Sequence, residues 1–300
     1  MVSLESVDGP LYASMISDFH SVLAALPPAS ALASISQVVL EEMMARDEAR
    51  FVMDADAVAA WSVACISRYL FGEGGAALVE PLVAASWEWR REIAVRGKGD
   101  PQVKQRAIAA LVAQLERSAA LWPLFGERWR EPRYYSLLLQ PFLLSPCINL
   151  GDIAVAVKTR PHLDHAEDAV RAAHPFPILE RYVGKDLRAK DGSLAVRADT
   201  QVIIFTADLD ASRSSKSSGW PVFGVGPRQC AGAHLARPMI QLLHNLRAHD
   251  RFDPAKGHRL SGRNNDANWS WAERYYFATT IGAVLRDSAL RRGKGRSHKK

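Results

Sequence analysis

The sequence predicts a mainly α-helical protein with a small antiparallel β region. Three observations predict it. Apolar residues recur at helical spacing through most of the first 160 residues. From about residue 175, short β-branched runs separated by turn signals replace that pattern. The composition, 48% apolar and 23% charged over 300 residues, is that of an ordinary folded chain, and eight tryptophans can fill a core. Disordered, collagen-like and coiled-coil chains are excluded on the same numbers.

The helices follow in order. SALASISQVVLEEMMAR carries apolar residues at helical spacing, with Glu41 and Glu42 on the wet side. DADAVAAWSVACISRYLFG is a second helix, with Asp54 or Asp56 as N-cap and Gly72 just past its end. PLVAASWEWRREIAV begins with Pro81 near the first turn. In PQVKQRAIAALVAQLERSAALW the stripe is Ile108, Leu111, Val112 and Leu115. YYSLLLQPFLLSPCINLGDIAVAV is long and apolar, and Pro141 and Pro146 are expected to kink or break it. The runs ILERYV, SLAVRA and TQVIIFTA read as strands of a small antiparallel sheet. A final helix follows residue 230, with Leu235, Met239, Leu242, Leu243 and Leu246 on one face.

The net charge is +6, and the last fifteen residues, with seven basic side chains and one acid, account for all of it. The basic character therefore belongs to a tail and not to a groove, which argues against a nucleic-acid partner. No run is read as approaching the ~18 uncharged apolar residues of a membrane span. The first twelve residues lack the basic, then apolar, order of a secretory leader. A cytoplasmic protein is expected, with no membrane attachment through these residues. Cys65, Cys147 and Cys230 are too few and too far apart for a disulfide framework or a zinc ribbon. Cys65 and Cys147 lie in apolar runs and read as small buried hydrophobes. His162 and His165 have no evident third metal ligand and read as a solvated helix start.

Cys230 stands apart. In Phe223-Gly224-Val225-Gly226-Pro227-Arg228-Gln229-Cys230-Ala231-Gly232, a loop with two glycines and a proline runs into a helix with a cysteine at the junction. Glycines let the backbone turn tightly and approach a flat ligand closely. Free N–H groups at a helix start favour a thiolate, which is a strong metal ligand. Arg228 can reach a carboxylate at a cofactor edge, and Phe223 can keep water off the sulfur.

This decapeptide resembles the cysteine-loop signature of the cytochrome P-450 family, F-G-x-G-x-R-x-C-x-G, at every fixed position. Upstream, Asp168 and Arg171, followed by His174-Pro175-Phe176-Pro177, look like the family's E-x-x-R helix and proline turn, with Asp in place of Glu. Glu167 is adjacent, and on a helix it points about 100° away. The resemblance implies haem b (iron protoporphyrin IX) ligated by Cys230, with Phe223, Gly224, Gly226 and Gly232 shaping the loop. It implies propionate contacts from Arg228 and Arg181, and a structural ion pair of Asp168 with Arg171. Pro177, Ile178 and Leu179 would then line a substrate cavity.

The resemblance is specific over about residues 168–247 and covers about 10–285. It implies one haem domain over 1–285, followed by a basic, disordered tail at 286–300. Within that domain, 1–160 is helical, and 161–220 holds a helix and small sheet. The cysteine loop and its helix occupy 221–249, with sheet and loops over 250–285. The family's N-terminal strands and first helices have no counterpart. At the family's distal oxygen site an acid and an alcohol relay protons. The nearest stretch here places Ile148 and Asn149 in those positions. The implied activity is a monooxygenase that inserts one oxygen atom into a small apolar substrate, with electrons from a separate reductase or ferredoxin. A haem-thiolate peroxygenase, hydroperoxide isomerase or lyase is the alternative, and a non-catalytic haem-binding remnant is a third.

Overall fold

The computed structural model describes residue 7 and residues 9–45, 52–95, 99–160, 165–172, 178–205, 222–224 and 229–254. Contacts divide the chain into two compact units where the sequence reading took one haem domain. The first runs through Gly151 and resumes at Asp253; the second is Asp152–Phe252.

The first unit is helical. Its elements are α1 (Gly9–Ala25), α2 (Ala29–Ala45), α3 (Ala55–Phe71), α4 (Val79–Val95), α5 (Pro101–Arg117), the short α6 (Trp122–Phe125), α7 (Pro132–Leu138) and the start of α8 (Ser145–Thr159). Helix α3 is apolar on most of its circumference and is buried accordingly, from Ala55 through Leu70. Asp54 is its N-cap, accepting from the Ala57 N–H at 2.8 Å. Gly72 ends it with φ +63°, in the left-handed region where a side chain is strained. The core tryptophans have polar partners as well as apolar ones. Trp61 Nε1 donates to the Ser36 carbonyl at 3.1 Å, joining α3 to α2. Trp129 Nε1 donates to the Leu121 carbonyl at 2.9 Å. Both rings are fully buried, so an unmatched indole N–H there would cost ~1–3 kcal/mol.

Helix α5 opens on Asp100, which accepts from Gln102 N at 2.8 Å, with Pro101 in the first turn where no N–H is needed. Its buried residues are Ala107, Leu111, Gln114 and Leu115. The stripe thus lies one residue to the side of the predicted one, and Ile108 and Val112 are half-buried at its margin.

Helix α7 and α8 form one continuous helix, Pro132–Thr159, where the sequence predicted a kink or a break. The reason is a widened turn over Leu139–Leu144, in which the Ser145 N–H donates to the Gln140 carbonyl five residues back. Widening relieves the clash between the Pro141 ring and the carbonyl one turn earlier. By length and composition this helix meets the requirement for a membrane span, contrary to the reading above. Yet 61% of its apolar stretch is buried in protein, as in a core helix. Phe142 in the widened turn packs on Phe19 of α1 with ring centroids 5.6 Å apart. Arg133 ties the same helix to α1 through Asp18 at 2.7 Å.

The second unit holds the rest of α8, then α9 (Ala166–Ala172), four strands and α10 (Ala233–Asn245). Strand β1 (Ile178–Tyr182) pairs antiparallel with β4 (Gln201–Phe205), setting Arg181 opposite Val202. Strands β2 (Leu187–Arg188) and β3 (Leu194–Val196) form a second antiparallel pair with a bulge. Their turn is closed by Asp191, whose carboxylate accepts from both the N–H and the hydroxyl of Ser193. The predicted class, mainly α with a small antiparallel β region, is the observed one.

The 3₁₀ segment Gly72–Leu78 packs so tightly on α3 that a Cβ at Gly75 would lie 2.2 Å from the Ser67 carbonyl oxygen. At neighbouring Gly74 a Cβ would meet only the Gln114 side chain, at 3.2 Å. Denaturant melts should therefore show Gly75→Ala losing ~2–3 kcal/mol and Gly74→Ala less than ~1 kcal/mol. Equal losses would contradict the packing described.

Candidate functional site

The cysteine loop and its supports lie in the second unit. Helix α10 is strongly amphipathic and buries Ala233, Leu235, Met239, Ile240 and Leu243. Leu242 and Leu246, predicted on the same face, are half-buried beside it. The helix starts at Gly232 without a side-chain cap. The Ala233 N–H donates to the Cys230 carbonyl at 3.2 Å, and the Leu235 and Ala236 N–H groups donate to the Gly232 carbonyl at 3.0 Å. Cys230 thus sits two residues before the N-cap of a thirteen-residue helix, at its positive end.

The loop is closed by a backbone bond from Cys230 N to the Phe223 carbonyl, 2.8 Å long. Gly224 turns the chain after Phe223 with φ +74°, a conformation that strains other residues. Gly226 and Arg228 lie outside the described residues. Cys230 is exposed and outside any disulfide, whereas Cys65 and Cys147 are buried. Burial pushes the Cys65 thiol up to about 12, so it stays protonated and inert. One cysteine of the three is therefore presented for chemistry. An exposed sulfur at the uncapped start of a helix fits a soft metal held by a thiolate.

Beneath the loop, α9 carries Asp168 and Arg171 one turn apart. Arg171 Nη1 is 2.5 Å from Asp168 Oδ1, with the arginine side chain 10% exposed. Glu167 does not point away, as the sequence reading expected. Its carboxylate is 3.7 Å from Arg171 Nη2 and accepts from Arg237 Nε at 2.9 Å. The offset of about 100° separates it from Asp168, whereas Arg171 lies four residues on, on the same face of the helix. Arg237, on α10, also stands over the Phe223 ring, 5.0 Å from its centroid. Sequence reading missed both roles, because Glu167 lies 70 residues from Arg237 and Phe223 lies across the loop before its helix. These groups, with His165, Ile240 and Gln241, line an open cavity of about 580 Å³. No group of three metal-ligating side chains occurs among the described residues.

No protein-family model and no curated protein matches this sequence. Among solved structures it is similar to cytochrome P450 OleT, a variant solved with arachidonic acid, with a TM-score of 0.56 at 11% identity. That match covers 81% of this chain and 71% of the other. The open form of cytochrome P450 Eryk from S. erythraea gives a TM-score of 0.50 at 18% identity, over 81% and 72% of the two chains. The chain has the cytochrome P450 fold.

Within this P450 fold the remaining candidates fall as follows. Arg181, Ile178 and Leu179 are on β1, which is described at the level of the backbone. Pro177 and the proline turn before it lie outside the described residues, as does His162. Ile148 and Asn149 are half-buried on α8, in the first unit. Asp152, a buried carboxylate on the same helix, went unread in the sequence because one acid in an apolar run carries no pattern.

The two acids around Arg171 predict unequal losses. Asp168→Asn leaves Glu167 facing the guanidinium and should cost ~1–2 kcal/mol. Arg171→Gln strips the cation from both acids and should cost ~3 kcal/mol or more. Chemical denaturation of the two variants checks the order, which a pair isolated from Glu167 would not show.

Proposed function

We propose that this chain is a haem-thiolate oxidoreductase, a monooxygenase that inserts one oxygen atom into a small apolar substrate. One observation carries the proposal: in a chain with the cytochrome P450 fold, the exposed cysteine is Cys230, set before the uncapped start of α10 by its bond to Phe223. Haem bound there would supply a thiolate-ligated iron, whose electron-rich character favours O–O cleavage.

The chain's own residues divide the work. Cys230 Sγ gives up its proton on ligation, and the positive end of α10 favours the resulting thiolate. Phe223 shields the sulfur from water, and Gly224 lets the loop turn without a side chain in the way. Arg228 and Arg181 are assigned to the propionates, as charge-assisted pairs. Asp168 and Arg171 brace the loop from below. Ile178 and Leu179 are assigned to the substrate wall, and Asn149 is assigned to the substrate as well. Reducing equivalents come from a separate reductase or ferredoxin.

Ile148 and Asn149 favour a second reading. A side-chain amide donates a hydrogen bond but does not readily pass on a proton. A chain that starts from a hydroperoxide, as a peroxygenase, isomerase or lyase, would need no such relay. Turnover with hydroperoxide, and none with oxygen plus a reductase, would select this reading.

The test of the first claim is the ferrous carbon-monoxide spectrum of the haem-loaded protein. A thiolate-type Soret band is expected, lost in Cys230→Ala. A histidine- or water-type band in the unsubstituted protein, or failure to take up haem, would overturn the assignment.

A further inference from the structure

We propose that Arg237 is a positioning residue for Cys230, holding the cysteine loop through Phe223 and anchoring it to α9 through Glu167. The proposal deepens the haem-thiolate reading, and its bearing on ligation rests on that reading.

Arg237 is an anomaly for a surface cation. The Arg237 side chain is 53% exposed, and such an arginine ordinarily samples many rotamers. Here it has two partners on different segments. Its Nε donates to Glu167 Oε1 at 2.9 Å, and its guanidinium lies 5.0 Å from the centre of the Phe223 ring. A planar guanidinium can do both at once, offering a face to the ring and an edge to the carboxylate. A lysine ammonium cannot. Phe223 is the residue whose carbonyl accepts the Cys230 N–H, so whatever fixes Phe223 fixes the closing bond of the loop. The contacts therefore run in series: Glu167, Arg237, Phe223, Cys230.

Glu167 gives the series an anchor. Its second carboxylate oxygen lies 3.7 Å from Arg171 Nη2, and Arg171 is closed onto Asp168. Arg237 thereby joins the loop to the ion pair already described, from the α10 side.

The test measures the Cys230 amide directly. Hydrogen exchange is followed by NMR in the full-length protein without haem, for the unsubstituted chain, Arg237→Lys, Arg237→Gln and Glu167→Gln. Exchange at Cys230 should quicken roughly fivefold in both Arg237 variants, with α3 amides unchanged. Glu167→Gln, which keeps the ring contact, should give a smaller rise and serves if either Arg237 variant fails to fold. After haem loading, the share of thiolate-type carbon-monoxide complex should fall in the same order. Unchanged exchange at Cys230 would overturn the proposal. So would an equal rise in α3, which marks general destabilisation. If the unsubstituted protein lacks the thiolate band, the functional reading fails, while the exchange comparison still decides the role of Arg237.

Discussion

The hydrogen bond from the Cys230 N–H to the Phe223 carbonyl is the constraint on which the site depends. It closes a loop whose ends would otherwise be joined only by glycine-rich chain, and it fixes the cysteine two residues before the N-cap of α10. Without it, neither the positive end of the helix nor the Phe223 ring has a defined relation to the sulfur. The neighbouring features follow from it. Gly224 takes φ +74° because the chain must turn at once after Phe223. Gly232, as N-cap, offers no side chain to compete with the sulfur for the helix start.

The charged groups of this unit serve the same end by a different kind of force. Two acids and two guanidiniums, Glu167, Asp168, Arg171 and Arg237, are shared between α9 and α10. Isolated exposed pairs of this sort contribute little. Their value here lies in direction, because the most buried member, Arg171, is held from two sides and the most exposed, Arg237, reaches the loop. In the first unit the corresponding role falls to packing. There α3 is buried on most faces, and indole N–H groups find carbonyls on neighbouring segments.

Local features were legible in the sequence and non-local ones were not. Asp54 and Gly72 bound α3 as capping chemistry requires, and Asp100 with Pro101 opens α5. The spacing of Asp168 and Arg171, and the order of glycines before Cys230, could be read because each lies within a few residues of chain. Pro141 was legible as the place of a helix defect but not its form, because proline does not say how it is accommodated, and here the helix widens instead of ending. Glu167 was misread because its angle was taken from Asp168, whereas Arg171, four residues on, shares its face. Arg237 was invisible, since nothing near it in sequence marks a partner 70 residues away.

The central claim is that the sulfur of Cys230 is the protein's ligand to iron. Iron-edge X-ray absorption of the haem-loaded full-length chain tests it most directly. The account predicts one sulfur neighbour in the iron's first coordination shell, absent from the Cys230→Ala protein. A shell of nitrogen and oxygen alone in the unsubstituted protein, or a sulfur that survives the substitution, would contradict it.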